Sequence, residues 1–262
     1  MIALDWTALS DGWTEAPKAA VLPGSSWNEK LRFHAVAFLL VHPAAGPVLI
    51  DTGYSARFFA ETRFFPGSLY SAITPVTLTD PEGIAGQIRR LGMSPGDVRH
   101  LVITHFHADH IGGLRDFPNA RVYCSQRAWQ SVRKLRGFAA VGHAFLPGLL
   151  PSDLEGRLHF VEEGSDLFDD GAIHVMDLPG HATGQIGIRF ADTTGRSILL
   201  AADACWTSDA FRENRMPHPV TRLLNEWKPY QTTLRRLHRL HREDPDLLIL
   251  PTHCPETAHY LG

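Results

Sequence analysis

The sequence contains few cysteines, no long apolar run and no large excess of either charge. Its three cysteines, Cys124, Cys205 and Cys254, are too few and too scattered for a disulfide framework or a Cys-x-x-Cys zinc site. We therefore expect buried or incidental thiols. The formal net charge of -3 gives no overall basic surface for a polyanion, so no nucleic-acid partner is expected.

The most apolar segment, FHAVAFLLVH at residues 33–42, is shorter than a membrane span, carries two histidines and stops at Pro43. It predicts a buried strand, and no membrane partner is expected. The amino-terminal stretch MIALDWTALSDGW lacks the cationic start and the apolar run of a signal peptide. We therefore expect a cytoplasmic protein.

The chain of 262 residues is long enough for a large core, and no linker divides it, so we expect one domain over residues 1–262. Short β-rich runs predict strands at FHAVAFLLVH, PVLIDTG, HLVITH, RLHFVEE, AIHVMDLPG, GQIGIRFAD, SILLAADA and LLILPTH. Helical patterns cover PEGIAGQIRRLG, ending on Gly92, SQRAWQSVRKLRG, ending on Gly137, and roughly YQTTLRRLHRLHRED. Two such halves, each a sheet with outer helices, predict a layered α+β sandwich rather than a single doubly wound sheet.

Three histidines and an aspartate crowd into THFHADHIGG, residues 104–113. His105, His107, Asp109 and His110 follow the strand HLVITH, where the chain leaves the sheet and alternate side chains can converge. Imidazole and carboxylate are ligands that suit zinc and neighbouring first-row metals. An accidental cluster among the 15 histidines is the alternative, but the H-x-H-x-D-H spacing after an apolar strand favours a metal site.

A chelate of this kind needs further ligands from other strand ends. Three candidates each follow an apolar run directly: His181 in DLPGHATG, Asp203 in LLAADAC and His253 in LILPTHC. Their recurrence in the same context strengthens the prediction of a metal site, whereas the remaining histidines lack that context.

These motifs, in their order from VLIDTG to LILPTHC, resemble those of the metallo-β-lactamase superfamily. The resemblance implies a four-layer αββα sandwich with two metal ions at one edge, between the two sheets. The ligands that it implies are His105, His107 and His181 for one metal, Asp109, His110 and His253 for the other, and Asp203 as the bridge. Zinc is the expected ion, and manganese, iron and cobalt are alternatives that imidazole–carboxylate sites accept.

Three further residues lie close to the predicted ligands in the sequence. Asp51 in LIDTG corresponds to another motif of the superfamily and either orients a ligand histidine or serves as an Asp-Gly turn residue. Gly112 and Gly113 are expected to allow close backbone packing beneath the metals, which is a structural role.

Two divalent ions would hold a bridging hydroxide at neutral pH, because metal binding lowers the pKa of water from about 15.7 to about 7. One ion can also polarise a carbonyl and stabilise a tetrahedral intermediate. This chemistry predicts hydrolysis of an ester, lactone, thioester or amide. Asp109 and Asp203 are the candidate catalytic residues, with Asp109 passing a proton to the leaving oxygen as a general acid.

Within the superfamily the chain most resembles the N-acyl homoserine lactone lactonases, which implies a quorum-quenching activity. The resemblance rests on the size, the THFHADHIGGL loop and the stretch LLAADACW. Those lactonases usually carry a tyrosine three residues after the bridging aspartate, whereas this chain has Trp206. An indole has one N–H and no phenolic proton, so Trp206 either donates a hydrogen bond or walls the pocket. A relative that acts on a different lactone or ester stays an alternative.

Two loops rich in phenylalanine, at residues 54–70 and 137–150, are expected to face the substrate. Their rings would suit a small hydrophobic acyl compound, although any single ring can equally pack into the core. The rings in question are Phe58, Phe59, Phe64, Phe65, Phe138 and Phe145. The candidate substrate-binding residues are Trp206, Phe64, Phe65 and Phe145.

Several other functions use related chemistry. A glyoxalase II-like thioesterase would need a cationic glutathione site, and only nine residues follow His253. A mononuclear iron sulfur dioxygenase resembles the HADHI run closely but uses one redox metal. An RNase Z-like phosphodiesterase would want a basic surface, and a class B β-lactamase a signal peptide. A ligand-binding protein without turnover and a homodimer both stay open.

Overall fold

The computed structural model of the protein describes residues 2–261, in which eleven strands alternate with α-helices and short 3-10 turns. The strands are β1 (Ala3–Pro17), β2 (Lys30–His42), β3 (Gly46–Ile50), β4 (Thr77–Leu78), β5 (His100–Val102), β6 (Arg121–Ser125), β7 (Leu158–Val161), β8 (His174–Asp177), β9 (Ile186–Asp192), β10 (Ser197–Ala202) and β11 (Leu248–Pro251). The α-helices are α1 (Lys18–Val21), α2 (Arg57–Glu61), α3 (Gly67–Ile73), α4 (Gly83–Arg90), α5 (Ala108–Ile111), α6 (Gln126–Val132), α7 (Gly137–Val141), α8 (Leu154–Arg157), α9 (Ser208–Arg212) and α10 (Trp227–Glu243). The 3-10 turns are Pro95–Asp97, Leu114–Asp116, Pro147–Leu149, Pro219–Leu223 and Thr257–Tyr260.

The strands form two sheets that are joined through β1. Hydrogen-bonded neighbours follow the order β11-β10-β9-β1-β2-β3-β5-β6-β7, with β4 on β1 and β8 on β9. Ala3 and Leu4 pair in parallel with β9, whereas the rest of β1 runs antiparallel to β2. The first strand therefore begins in the sheet of β8 to β11 and continues into the sheet of β2 to β7.

Buried apolar side chains fill the three spaces between four layers. The space between the two sheets holds Val36, Phe38, Ile50, Val175, Ile188 and Leu200. The sheet of β2 to β7, called the first sheet, packs on its other face against α4 and α6 through Leu39, Leu101, Ile84, Ile88 and Trp129. The sheet of β8 to β11, called the second sheet, packs against α9 and α10 through Leu199, Ile249, Phe211, Leu234 and Leu237. This αββα order confirms the four-layer α+β sandwich that the sequence and its resemblance predicted.

Strand β2 explains why residues 35–40 form an unbroken apolar run. Successive side chains of a strand point to opposite faces of the sheet. Ala35, Ala37 and Leu39 face the outer helices, while Val36, Phe38 and Leu40 face the other sheet. Because both faces are buried, each position along the strand favours an apolar residue.

The predicted strands are found, whereas strands β1, β4 and β6 were not predicted and one helix ends earlier than expected. Helix α6 ends at Val132, before the predicted stop, because Gly137 begins the separate helix α7. The long strand β1 was not predicted, since Asp11 and Gly12 interrupt its pattern where the register shifts between Ser10 and Trp13.

Cys124, Cys205 and Cys254 are all buried free thiols, as predicted. Among residues 2–261, no helix combines the length and the apolar character needed to cross a membrane.

The fold brings the carboxyl ends of β5, β10 and β11 together with the loop that follows β8. Two backbone hydrogen bonds connect these ends: Ile186 N–H donates to the Thr104 carbonyl at 3.0 Å, and Thr252 N–H donates to the Ala202 carbonyl at 2.9 Å. Residues far apart in the sequence therefore meet at one edge, between the two sheets.

Candidate metal centre

The loop after β5 is fixed by close backbone packing against residues 51–54. A single helical turn, α5, carries Asp109 and His110, and Gly112 follows it. A Cβ atom on Gly112 would lie 2.6 Å from the Gly53 carbonyl oxygen, and one on Gly113 would lie 2.7 Å from the Thr52 carbonyl oxygen. Both glycines therefore permit the close approach that the sequence predicted.

The three distant candidates reach the same place from other strand ends. His181 lies in the loop between β8 and β9, beside Gly180, which has a φ of 132° and leaves no room for a side chain against Tyr230. Asp203 follows Ala202, whose φ of 48° turns the chain sharply at the end of β10. His253 follows β11.

The structure places the seven predicted ligands in two groups with one carboxylate between them. One group of potential ligand atoms, all within 4.8 Å of one another, belongs to His105, His107 and His181. A second group, with the same spacing, belongs to Asp109, His110 and His253. This division is the one that the family resemblance implied.

Asp203 contacts histidines of both groups. Its carboxylate oxygens lie 3.3 Å from His181 Nε2, 2.9 Å from His253 Nε2 and 3.4 Å from His110 Nε2. Asp203 thus lies between the two groups.

Several buried polar atoms at the centre have no hydrogen-bond partner among the described residues. These atoms are His105 Nε2, His110 Nε2 and Asp203 Oδ1. Leaving a buried polar atom unpaired costs about 1–3 kcal/mol, so such atoms require an explanation. Five imidazoles and two carboxylates form a donor set that suits zinc and its neighbours. The residues present therefore fit two divalent ions.

Asp51 and Thr104 hold two of the imidazoles from behind. The Nδ1–H of His110 donates to the Asp51 carboxylate at 2.7 Å. Asp51 also accepts from the Thr104 backbone N–H at 2.9 Å and from its hydroxyl at 2.7 Å. The Thr104 oxygen in turn accepts from His105 Nδ1 at 3.2 Å. Both histidines therefore keep Nε2 free for a metal.

Two more imidazoles are oriented by groups that the sequence did not reveal. His253 Nδ1–H donates to the His34 carbonyl at 2.8 Å, and His181 Nδ1–H donates to the Asn225 side-chain oxygen at 3.0 Å. A backbone carbonyl carries no sequence signal, and Asn225 stands in no recognisable motif.

Burial and charge divide the histidines into two electrostatic classes. Burial lowers the pKa of His107 to about 3 and also lowers the pKa values of His105 and His181. These three rings are therefore uncharged at neutral pH, and each offers a nitrogen lone pair to a metal. For His253, burial alone would lower the pKa, but the attraction of Asp203 and Asp109 raises it to about 10. Asp109 and Asp203 therefore strongly stabilise positive charge beside His253.

A cavity of about 780 Å³ opens beside the seven residues. Five of them reach its wall: His107, Asp109, His181, Asp203 and His253. The apolar part of the wall includes Val21, Phe33, Leu69, Ile73, Phe106, Val132, Phe138, Val141, Trp206 and Leu224. One polar wall therefore faces a hydrophobic chamber.

Two buried phenols, which the sequence did not single out, also reach the cavity. Burial raises the pKa of Tyr54 and Tyr70 well above the usual value, so both hydroxyls stay protonated and able to donate.

The predicted phenylalanines fall into different places. Phe138 lines the cavity, but Phe64 and Phe65 are exposed and lie outside its lining. Phe145 is buried between the first sheet and its outer helices, where it packs with Leu146, so it does not line the cavity either. These positions correct the prediction that all three rings form the chamber.

The other two predicted rings also lie elsewhere. Phe58 is buried in the same outer core, and Phe59 is exposed. Phe33 on β2 and Phe106 between the ligands His105 and His107 line the cavity instead. Their strand and loop positions could have been found only from the packing of the two sheets.

Trp206 stands on the cavity wall. Its ring centroid is 5.6 Å from that of His181 and 6.5 Å from that of Phe33, with nearly perpendicular planes in both pairs. The indole also packs with Val21 in a small apolar cluster. This arrangement favours the predicted role of a pocket wall.

Comparisons with known proteins agree with this geometry. N-acyl homoserine lactonase AttM of Agrobacterium fabrum is 28% identical over 223 residues, which cover 84% of this chain and 81% of the relative. A probable metallo-hydrolase of Mycobacterium tuberculosis is 31% identical over 237 residues, covering 83% of this chain and 74% of the relative.

Solved structures share the fold at lower identity. An N-acyl homoserine lactone hydrolase with N-hexanoyl-L-homoserine at its catalytic metal centre aligns with a TM-score of 0.76 and 18% identity, covering 100% of this chain and 97% of that one. The dizinc quorum-quenching lactonase AidC aligns with a TM-score of 0.70 and 14% identity, covering 97% and 89%. The family model described as the metallo-beta-lactamase superfamily matches residues 32–253. The chain therefore belongs to the metallo-β-lactamase superfamily.

Proposed function

We propose that this protein is a dinuclear metal-dependent hydrolase that opens an N-acyl homoserine lactone or a related carboxylic ester. One observation carries the proposal: five of the seven ligand candidates line the same cavity as a large set of apolar side chains. An acyl compound needs both features, a polar reaction centre and a hydrophobic chamber. Relatives that are named N-acyl homoserine lactonases support the same substrate class.

The metal assignment follows the two groups of side chains. We assign one ion to His105, His107 and His181, the other to Asp109, His110 and His253, and the bridge to Asp203. Zinc is the expected ion, with manganese, iron or cobalt as alternatives. When bound, two divalent ions supply Lewis acidity for a carbonyl and lower the pKa of a water to about 7.

Asp109 handles the proton in this proposal. The carboxylate lies at the cavity wall, 3.2 Å from His253 Nε2. Burial favours its protonated form, but His110 and His253 outweigh burial and lower the pKa of Asp109 to about 2. Asp109 therefore starts as a carboxylate, takes up the proton of the attacking water and delivers it to the leaving oxygen when the ester bond breaks.

The acyl chain lies along the apolar wall. Phe33, Phe106 and Trp206 present rings beside the polar wall, and Val132 continues the surface. Because Trp206 stands where related lactonases have tyrosine, we assign the hydrogen bond to the substrate carbonyl to the Tyr70 hydroxyl. A Tyr70→Phe variant with unchanged kcat/KM would eliminate that assignment.

The remaining parts of the proposal concern organisation. We propose that residues 1–262 form one domain and that the protein is cytoplasmic. We also propose that it acts on a small molecule and has no nucleic-acid partner. A homodimer is compatible with the proposal but not required by it. Opening the lactone ring of a signal molecule in the cytoplasm would amount to quorum quenching.

The decisive experiment joins metal analysis to a substrate screen. Elemental analysis of the purified protein is expected to give two divalent ions per chain. A pH-stat screen of homoserine lactones, other lactones, aryl esters and thioesters is expected to show the highest kcat/KM on the lactones. One iron per chain with oxygen consumption on a persulfide would instead establish the sulfur dioxygenase, and a preference for thioesters would establish the thioesterase.

Two variants test the assigned residues. His107→Ala is expected to lose metal and activity together, so retained lactonase activity without metal contradicts the mechanism. Because Asp109 is also an assigned ligand, Asp109→Asn is assayed with added metal at full occupancy, where kcat is expected to fall by about 100-fold or more, the loss typical for a general acid–base group. Asp209→Asn changes an exposed aspartate on α9 and is the matched control, with kcat unchanged.

A further inference from the structure

An apolar surface lies along one side of the cavity. We call it the mouth patch and define it by Phe64, Phe65, Leu69, Ile73 and Phe138. Ile73 is 78% exposed, Phe64 70%, and Phe138 61%. Isolated exposed rings are common on proteins, but a contiguous group of large apolar side chains marks an interaction surface.

Two members of the mouth patch are in contact, and three members line the cavity. The rings of Phe65 and Phe138 meet edge to face with centroids 4.9 Å apart, and helices α3 and α7 are in contact. Leu69, Ile73 and Phe138 also line the cavity. The mouth patch is therefore the outer rim of the substrate chamber.

The chain segments that form this rim are basic. Residues 117–152 contain no Asp or Glu, and they carry Arg121, Arg127, Arg133, Lys134 and Arg136. Residues 62–79 contain Arg63 and likewise no acidic residue. The protein as a whole has a formal net charge of -3, so the positive charge of these two segments is a local excess.

Three of the basic residues belong to the segment that joins two cavity-lining residues. Arg133, Lys134 and Arg136 are exposed, and they stand between Val132 and Phe138, both of which line the cavity. Exposed aromatic rings flanked by Lys and Arg are the features of proteins that lie on a membrane surface.

We propose that the mouth patch docks on an anionic lipid surface. Phe64, Phe65 and Ile73 enter the boundary between headgroups and acyl chains, while Arg133 and Lys134 contact the negative headgroups. This surface contact needs no membrane span, and it revises the expectation of no membrane partner, which rested on the lack of a spanning segment.

A second copy of this chain fits the mouth patch less well. A symmetric dimer through the patch would bring two basic rims together, and like charges across an interface oppose association. An anionic bilayer offers both an apolar layer and complementary charge. Amphiphilic acyl substrates would then enter the chamber from the membrane, a consequence that rests on the proposed function, whereas docking itself does not.

The test is co-sedimentation of the full chain with vesicles of equal parts phosphatidylglycerol and phosphatidylcholine. The wild-type protein is expected to bind these vesicles, to bind pure phosphatidylcholine weakly, and to dissociate at high salt. Arg133→Glu/Lys134→Glu is expected to reduce partitioning by roughly thirtyfold, from the loss of two basic contacts. Phe64→Ser/Phe65→Ser is expected to reduce it by about tenfold or more.

A matched control separates docking of the mouth patch from general attraction to charge. Arg235→Glu/Arg239→Glu makes the same charge change on the exposed face of α10, and partitioning should stay within about twofold of wild type. Thermal midpoints of all variants check that they fold, since every changed side chain is exposed.

Three results would overturn the proposal. One is no sedimentation of wild-type protein with the anionic vesicles. Another is an equal loss of binding in the α10 control. The third is a dimer in solution that dissociates in the Phe64→Ser/Phe65→Ser variant, because the patch would then be a protein interface. None of these readouts depends on turnover, so failure here and failure of the proposed function are distinguishable.

Discussion

His110 owes the direction of its imidazole to Asp51, and the substitution Asp51→Asn tests how much the metal centre depends on that bond. Asp51 is buried and accepts three hydrogen bonds, two from Thr104 and one from His110. Its φ of 59° is one that asparagine also tolerates, so the substitution adds no backbone strain.

The substitution replaces one hydrogen-bond acceptor, a carboxylate oxygen of Asp51, with a donor, the amide NH₂ of asparagine. If the asparagine oxygen keeps the bond from the Thr104 backbone N–H, its amide NH₂ faces His110 Nδ1. Two donors cannot pair, so His110 must move its proton to Nε2, the atom that faces the metal group. A protonated Nε2 cannot bind a metal.

The expected loss is 10- to 100-fold in metal affinity, on the order of 1.4–2.7 kcal/mol, as is usual for a partner of a ligand histidine. The loss should fall on the ion of the Asp109, His110 and His253 group. Titration with a competing chelator, followed by elemental analysis, is expected to show one ion leaving before the other. Wild-type protein should need more chelator for the same step.

Asp170→Asn provides a matched control. The Asp170 carboxylate lies 2.9 Å from Nε2 of buried His42, another Asp–His contact, at the end of β2 remote from His34 and the metal group. Chelator titration of this variant should follow the wild type. If Asp51→Asn also retains both ions with wild-type affinity, the orienting role of Asp51 is refuted.

Three further predictions follow from burial and close packing. Burial raises the pKa of Asp11 well above its usual value, so the folded state holds more protons and loses stability as pH rises from about 4 through the folded pKa. Asp11→Asn should therefore stabilise the protein more at neutral than at acidic pH in urea unfolding; equal effects at both pH values would contradict this. Gly112→Ala places a Cβ atom against the Gly53 carbonyl and should cost about 1–3 kcal/mol of unfolding free energy, whereas Gly156→Ala, with open space around it, should not. Trp206→Ala should lower kcat/KM for a hexanoyl lactone about tenfold without loss of metal, and an unchanged value would show that the indole does not contact substrate.

The fold was predictable in outline because burial leaves a periodic trace in the chain. The run at residues 33–42 is apolar on both faces of a central strand, and it was recognised as a buried strand. The strand Ala3–Pro17 escaped recognition because a bulge and the buried Asp11 break its alternation. The early end of α6 was missed because Gly137 serves as the start of the next helix.

The metal centre was predictable to a different depth. The spacing of His105, His107 and Asp109 after a strand is a local signal, so the residues could be selected from the sequence. The partners of the ligands were less accessible, because Asn225 and the carbonyl of His34 reach the centre only through loops and neighbouring strands.

The sequence by itself determined the chemistry of the site, since donor type and strand-end position are written in residue identity and hydrophobic pattern. Only the tertiary structure decided which rings face the substrate. Phe145 is as apolar as Phe33, but one is enclosed by outer helices and the other opens onto the cavity. That choice depends on how layers distant in sequence pack together, and hydrophobicity alone is the same for a core residue and a pocket wall.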